Sequence, residues 1–119
     1  MSVPLEMTVV EIAAPGGPEQ LKPAQRPVPR PGDGEVLVRV AAAGVNRPDV
    51  MQRQGRYPAP AGASDLPGLE VSGEIAALGP KVSGLSIGDK ITALLPGGGY
   101  AQYAIAAAPL CLQIGRAHV

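Results

Sequence analysis

No apolar run in this chain goes far before glycine or proline cuts it. Pro15-Gly16-Gly17-Pro18, Asp33-Gly34, Gly79-Pro80 and Gly97-Gly98-Gly99 stand between the short Val-, Ile- and Leu-rich runs. Proline removes a backbone donor and glycine turns corners that other residues resist, so long helices are excluded and short strands joined by many turns are favoured. Sixteen glycines and fourteen prolines in 119 residues would by themselves suggest low complexity. An apolar share of 45% opposes that, and a turn-rich β domain satisfies both facts.

The strands follow from the punctuation. Thr8–Ile12 reads as the first, after an extension over residues 1–6, with Met7 as an alternative start. Leu21–Pro31 holds prolines at 23, 27, 29 and 31, which restricts any strand there to a sheet edge. Asp33-Gly34 is a turn, and Glu35–Val40 alternates cleanly behind it, placing Val36, Val38 and Val40 on one face as the predicted core. Leu69–Leu78 forms a strand in which Gly73 marks a bulge or a close backbone approach. Ser86–Lys90 turns the chain into Ile91–Leu95, and the three glycines then predict a hairpin into Tyr100–Ala107. A phosphate loop is rejected, because that mechanism needs a helix after the glycines and Tyr-Ala-Gln-Tyr-Ala-Ile alternates like a strand.

Ala42–Pro58 is organised differently. It turns at Gly44, opens a short helix at Asn46, closes it at Gly55, and presents Tyr57 between Arg56 and Pro58. Asn46 suits an N-cap, Pro48 a first turn, and Asp49 the positive helix end. The same residues serve equally as a loop carrying binding groups at the end of a rigid strand, and the residues alone leave both readings open. For Arg47 and Asp49, capping and solvated charge are sufficient explanations.

Composition narrows the function classes. Ten basic and ten acidic residues cancel without forming a run of either sign, so no nucleic-acid footprint is visible. Without Trp or Phe the core must be filled by small aliphatic side chains. Cys111 is the only cysteine, which excludes an internal disulfide and a multi-thiolate zinc site and suits a buried strand residue better than a nucleophile. There is no signal-peptide pattern, and the uncharged stretch 91–115 is broken by Pro96, Pro109 and the glycines, so no membrane span is expected and a soluble, cytoplasmic protein is.

Six segments in order resemble the medium-chain dehydrogenase/reductase family. They are Gly16–Glu19, Pro31–Val38, Gly44–Asp49, Pro67–Gly73, Gly88–Ile91 and Gly98–Tyr103, while Met51–Tyr57 is similar to the zinc-independent quinone oxidoreductase branch, to which zeta-crystallin belongs. The resemblance implies a mainly β, GroES-like, partly open barrel over residues 7–113 with one short helix, ahead of a Rossmann domain that is absent here. Zinc-dependent members carry Cys where this chain has Asn46, and His before Glu where it has Leu69 before Glu70. Neither thiolate nor imidazole is present, so no catalytic zinc is expected.

By the same resemblance Asn46 and Tyr57 line the pocket where the nicotinamide of NADPH meets a quinone. Both are candidate catalytic and cofactor-binding residues, with the amide and the phenol holding a carbonyl that zinc would otherwise polarise. Glu70 is either a neighbour of that site or a structural strand residue. The expected function is that of an NADPH:quinone oxidoreductase, homodimeric when complete and inactive as this piece alone. A zinc-free enone reductase of the same superfamily and a stand-alone GroES-like binding module are the alternatives. The last six residues, Ile114–Val119, read as a translated sequencing adapter, so residues 114–119 are expected to be non-native and His118 to carry no role.

Overall fold

The computed structural model describes residues 3–114. The expected adapter tail therefore lies, apart from Ile114, outside the described residues, as does His118. Among the described residues seven strands and one α-helix follow in order, with short 3-10 turns at Pro18–Gln20 and Ala108–Leu110: β1 (Glu6–Ile12), β2 (Leu21–Pro27), β3 (Glu35–Ala43), α1 (Arg47–Arg53), β4 (Glu70–Leu78), β5 (Lys90–Leu94), β6 (Tyr103–Ala107) and β7 (Cys111–Gln113). Strand β1 begins two residues before the expected start, with Met7 buried. No helix among the described residues is long and apolar enough to cross a membrane.

β1 and β2 form a two-stranded antiparallel ribbon, in register from Glu6 opposite Pro27 to Ile12 opposite Leu21. The proline-laden β2 pairs with β1 alone, as a strand with missing donors must. The other five strands make one curled antiparallel half-barrel in the order β6-β3-β4-β5-β7.

Strand β3 is buried on both faces. Val36 and Val38 enter a cluster with Val71, Ile75, Ile91, Ala93, Leu95, Ala104 and Ala106, while Leu37 points the other way into a second cluster with Met7, Val9, Leu66 and Tyr103. The ribbon thus covers the back of the sheet, and Val9 bridges directly to Ala101. Each fully buried Val or Ile stabilises the fold by roughly 1.5–3 kcal/mol. Val40 packs on the first cluster while remaining only partly buried, because the β3–β4 register shifts between Val40 and Ala42. Gly73 lies opposite that shift, where an added Cβ would run into the Arg39 carbonyl, so the expected close backbone approach is present.

The glycine run does not make a hairpin. β5 and β6 are separated in the sheet by β4 and β3, so residues 95–102 cross between them. The glycines lie instead against the loop before β4: Gly98 N–H donates to the Leu66 carbonyl (2.9 Å), Gly99 N–H to Gly68 (3.0 Å) and Tyr100 N–H to Pro67 (3.0 Å). Gly68 has φ +108, and a Cβ there would sit 2.6 Å from Gly99 Cα and Tyr100 N. Two backbones touch, and only hydrogen fits between them. Accordingly β6 starts at Tyr103 and not at Tyr100.

Candidate functional site

The end of β3 and the start of β4 place the site. Gly44 N–H donates to the Glu70 carbonyl at 2.9 Å, fixing the turn out of β3 against the first residue of β4. A Cβ on Gly44 would lie 2.5 Å from Glu70 Oε1, so the carboxylate occupies space that glycine leaves open. Asn46 follows in extended conformation as the N-cap of α1, with Pro48 in the first turn. Its side-chain amide donates to Glu70 Oε1 across a long 3.4 Å hydrogen bond. Asn46 and Glu70 are both half-buried.

Asp49 closes the helix start from the other side. Its Oδ2 accepts from the Asn46 backbone N–H at 2.9 Å, the return half of a capping box. The solvated charge expected for Asp49 is overturned: it is 4% exposed, the one buried charged side chain among the described residues. Its Oδ1 accepts from Gly68 N–H at 3.1 Å, and Oδ2 also accepts from the Tyr100 hydroxyl at 3.2 Å. Burial comes from the crossover, which lays Gly68 and Tyr100 over the helix start. The Tyr100 phenol is pushed up to about 12 by its own burial first, then by the Asp49 charge and their hydrogen bond. Arg47, by contrast, is exposed.

Tyr57 lies past the other end of the helix, after the Gln54 C-cap and Gly55 at φ +80. The seven-residue α1, about 10 Å long, stands between its position and that of Asn46. Tyr57 is half-buried and, among the described residues, its phenol meets no hydrogen-bond partner. The structure thus brings Asn46 to Glu70 and Asp49, and does not join Asn46 to Tyr57 by a hydrogen bond. Cys111 is half-buried in β7, and burial pushes its thiol up, away from the thiolate that a nucleophile needs.

Sequence reasoning named Asp49 as a capping residue, which the capping box bears out, and missed its burial and its tie to Gly68 and Tyr100. Tyr100 carried no signal at all, because its partner is 51 residues away.

A half-barrel with one capped helix and a glycine-lined crossover defines a class, and comparison with known proteins identifies it. Residues 32–116 match the alcohol dehydrogenase GroES-like domain. The chain belongs to that family, within the medium-chain dehydrogenase/reductase superfamily. It is 41% identical over 90 residues to the synaptic vesicle membrane protein VAT-1 homolog-like of Mus musculus, covering 76% of this chain and 22% of that protein. It is 41% identical over 103 residues to the quinone oxidoreductase of Lama guanicoe, covering 85% of this chain and 31% of that enzyme. Among solved structures, mycobacterial Rv1454c complexed with NADPH superimposes with a TM-score of 0.79 at 34% identity, over 92% of this chain and 32% of that one. The chain therefore spans between about a fifth and a third of the length of these relatives.

Proposed function

We propose that the complete protein is an NADPH-dependent quinone oxidoreductase and that this domain supplies the substrate side of a metal-free hydride-transfer site. The observation that carries the reading is the Asn46–Glu70 pair at the α1 start, in a chain 41% identical to a quinone oxidoreductase over 103 residues. An amide and a carboxylate meet there, with Leu69 beside them. A four-coordinate zinc centre needs thiolates or imidazoles, and this donor set does not fit one.

A bound nicotinamide cofactor, of the kind the structurally similar mycobacterial protein holds as NADPH, would supply the hydride. This chain's residues would hold the acceptor. The Asn46 amide has one N–H engaged by Glu70 and a second available to a carbonyl oxygen, and the Tyr57 phenol, which meets no hydrogen-bond partner among the described residues, is a second donor. Donors fixed before the reaction stabilise the oxyanion that develops as hydride arrives, the role that a Lewis-acidic metal plays elsewhere. Glu70 holds the amide in one orientation from behind.

The test is NADPH oxidation by the complete protein against matched panels of para-quinones and α,β-unsaturated ketones. Quinone-dependent oxidation is expected. Turnover of enones alone would replace this reading with that of an enone reductase, and no turnover of either would favour a binding module.

A further inference from the structure

Asp49 does more than cap a helix. Three donors from three separate segments converge on its two oxygens: Asn46 N–H and the Tyr100 hydroxyl on Oδ2, and Gly68 N–H on Oδ1. Gly68 lies two residues before Glu70, the group that the Asn46 side chain meets. The carboxylate is therefore bound at once to the backbone that carries the amide and to the backbone that leads into its acceptor. A neutral amide could not replace it, because Asn and Gln offer one acceptor oxygen and would leave one side of the bridge without a partner.

We infer that Asp49 is the positioning residue of the site, setting the Asn46 amide against Glu70 by fixing the α1 start to the Gly68–Glu70 segment that leads into β4. This rests on the reading of Asn46 as the carbonyl- or nicotinamide-holding amide, and Asp49 itself touches neither substrate nor cofactor. Tyr100 is the outer member: its hydroxyl fills the second acceptor site of Oδ2 and its backbone N–H bonds Pro67, so the crossover shields the carboxylate from water. In a buried setting of this kind the carboxylate stays fixed because both of its oxygens are held by donors.

The experiment uses the isotope-labelled complete protein without ligand, so its failure is separate from any failure of the quinone reading. Two quantities are read by nuclear magnetic resonance: the cross-peak between the Asn46 side-chain amide protons and the Glu70 side chain, and hydrogen exchange of the Asn46 and Gly68 backbone amides. For Asp49→Asn, the cross-peak is expected to disappear and at least one of the two amides to exchange tenfold faster or more, while Val38 and Ile75 stay protected. Tyr100→Phe, which removes a donor and leaves the carboxylate, is expected to keep the cross-peak. A cross-peak and exchange rates unchanged in Asp49→Asn would overturn the inference, as would loss of the cross-peak in Tyr100→Phe. Should the Asp49→Asn chain fail to fold, Asp49→Glu decides by the same criterion, because its longer side chain keeps both acceptor oxygens and displaces them from the Asn46 and Gly68 amides.

Discussion

At Asp49 and Tyr100 a buried charge and a half-buried phenol that look ordinary in the sequence stabilise each other. Losing one acceptor oxygen there orphans a buried donor, a cost of about 1–3 kcal/mol, so Asp49→Asn should lower the melting temperature measurably. The phenol gives a pH signature. Its folded value, about 12, lies above the ordinary value of 10, so its contribution is complete below pH 10 and is lost as pH rises towards 12. Thermal stability of the wild-type chain should therefore fall across that window, and the fall should be shallower in Tyr100→Phe. Identical alkaline profiles for the two would remove the Tyr100–Asp49 contact. Asn46 was legible as a candidate because an Asn before Pro-Asp has a local meaning. The burial of Asp49 was not, because charged residues belong outside unless distant segments supply donors, and those donors are backbone groups that no side-chain pattern reveals.

Among the elements, β2, β3 and β4 were readable because each has a local cause: prolines confine β2 to an edge, alternation gives β3 its faces, and Gly73 marks the bulged register of β4. The glycine run was misread because glycine serves two needs with one appearance. A hairpin and a close backbone approach both require it, and only the sheet order distinguishes them. Two substitutions separate the uses of space. Gly68→Ala meets rigid backbone at 2.6 Å and positive φ, so it should destabilise the chain by about 2 kcal/mol or more in a denaturant titration. Gly44→Ala meets the end of the flexible Glu70 side chain, which can swing aside. It should leave stability nearly unchanged and abolish the Asn46–Glu70 contact, so a large stability loss in Gly44→Ala would contradict the geometry where the turn out of β3 meets the start of β4.

As a whole molecule the half-barrel is covered at the back by the β1–β2 ribbon, and among the described residues nothing pairs with the outer edge of β7. Leu94, Leu110, Leu112 and Ile114 are all more than half exposed around that three-residue strand. An unpaired edge flanked by large apolar side chains is a template for association. The chain by itself should form concentration-dependent oligomers in light scattering, and Leu94→Lys with Leu112→Lys should suppress them; a monodisperse wild-type monomer at high concentration would show the edge to be harmless. The general architecture was legible in the motif order, whereas the exposed edge became visible only once β7 was placed beside β5. The central proposal, that the Asn46 amide at the α1 start and the Tyr57 phenol past its other end do the work of a metal, is tested most directly by steady-state NADPH oxidation with a para-quinone. Complete wild-type protein would be compared with its Asn46→Ala and Tyr57→Phe variants. The account expects each variant to lose roughly tenfold to a hundredfold in kcat/KM at an unchanged melting temperature, as removal of one hydrogen bond to developing charge implies. Kinetics equal to wild type in both variants would contradict it.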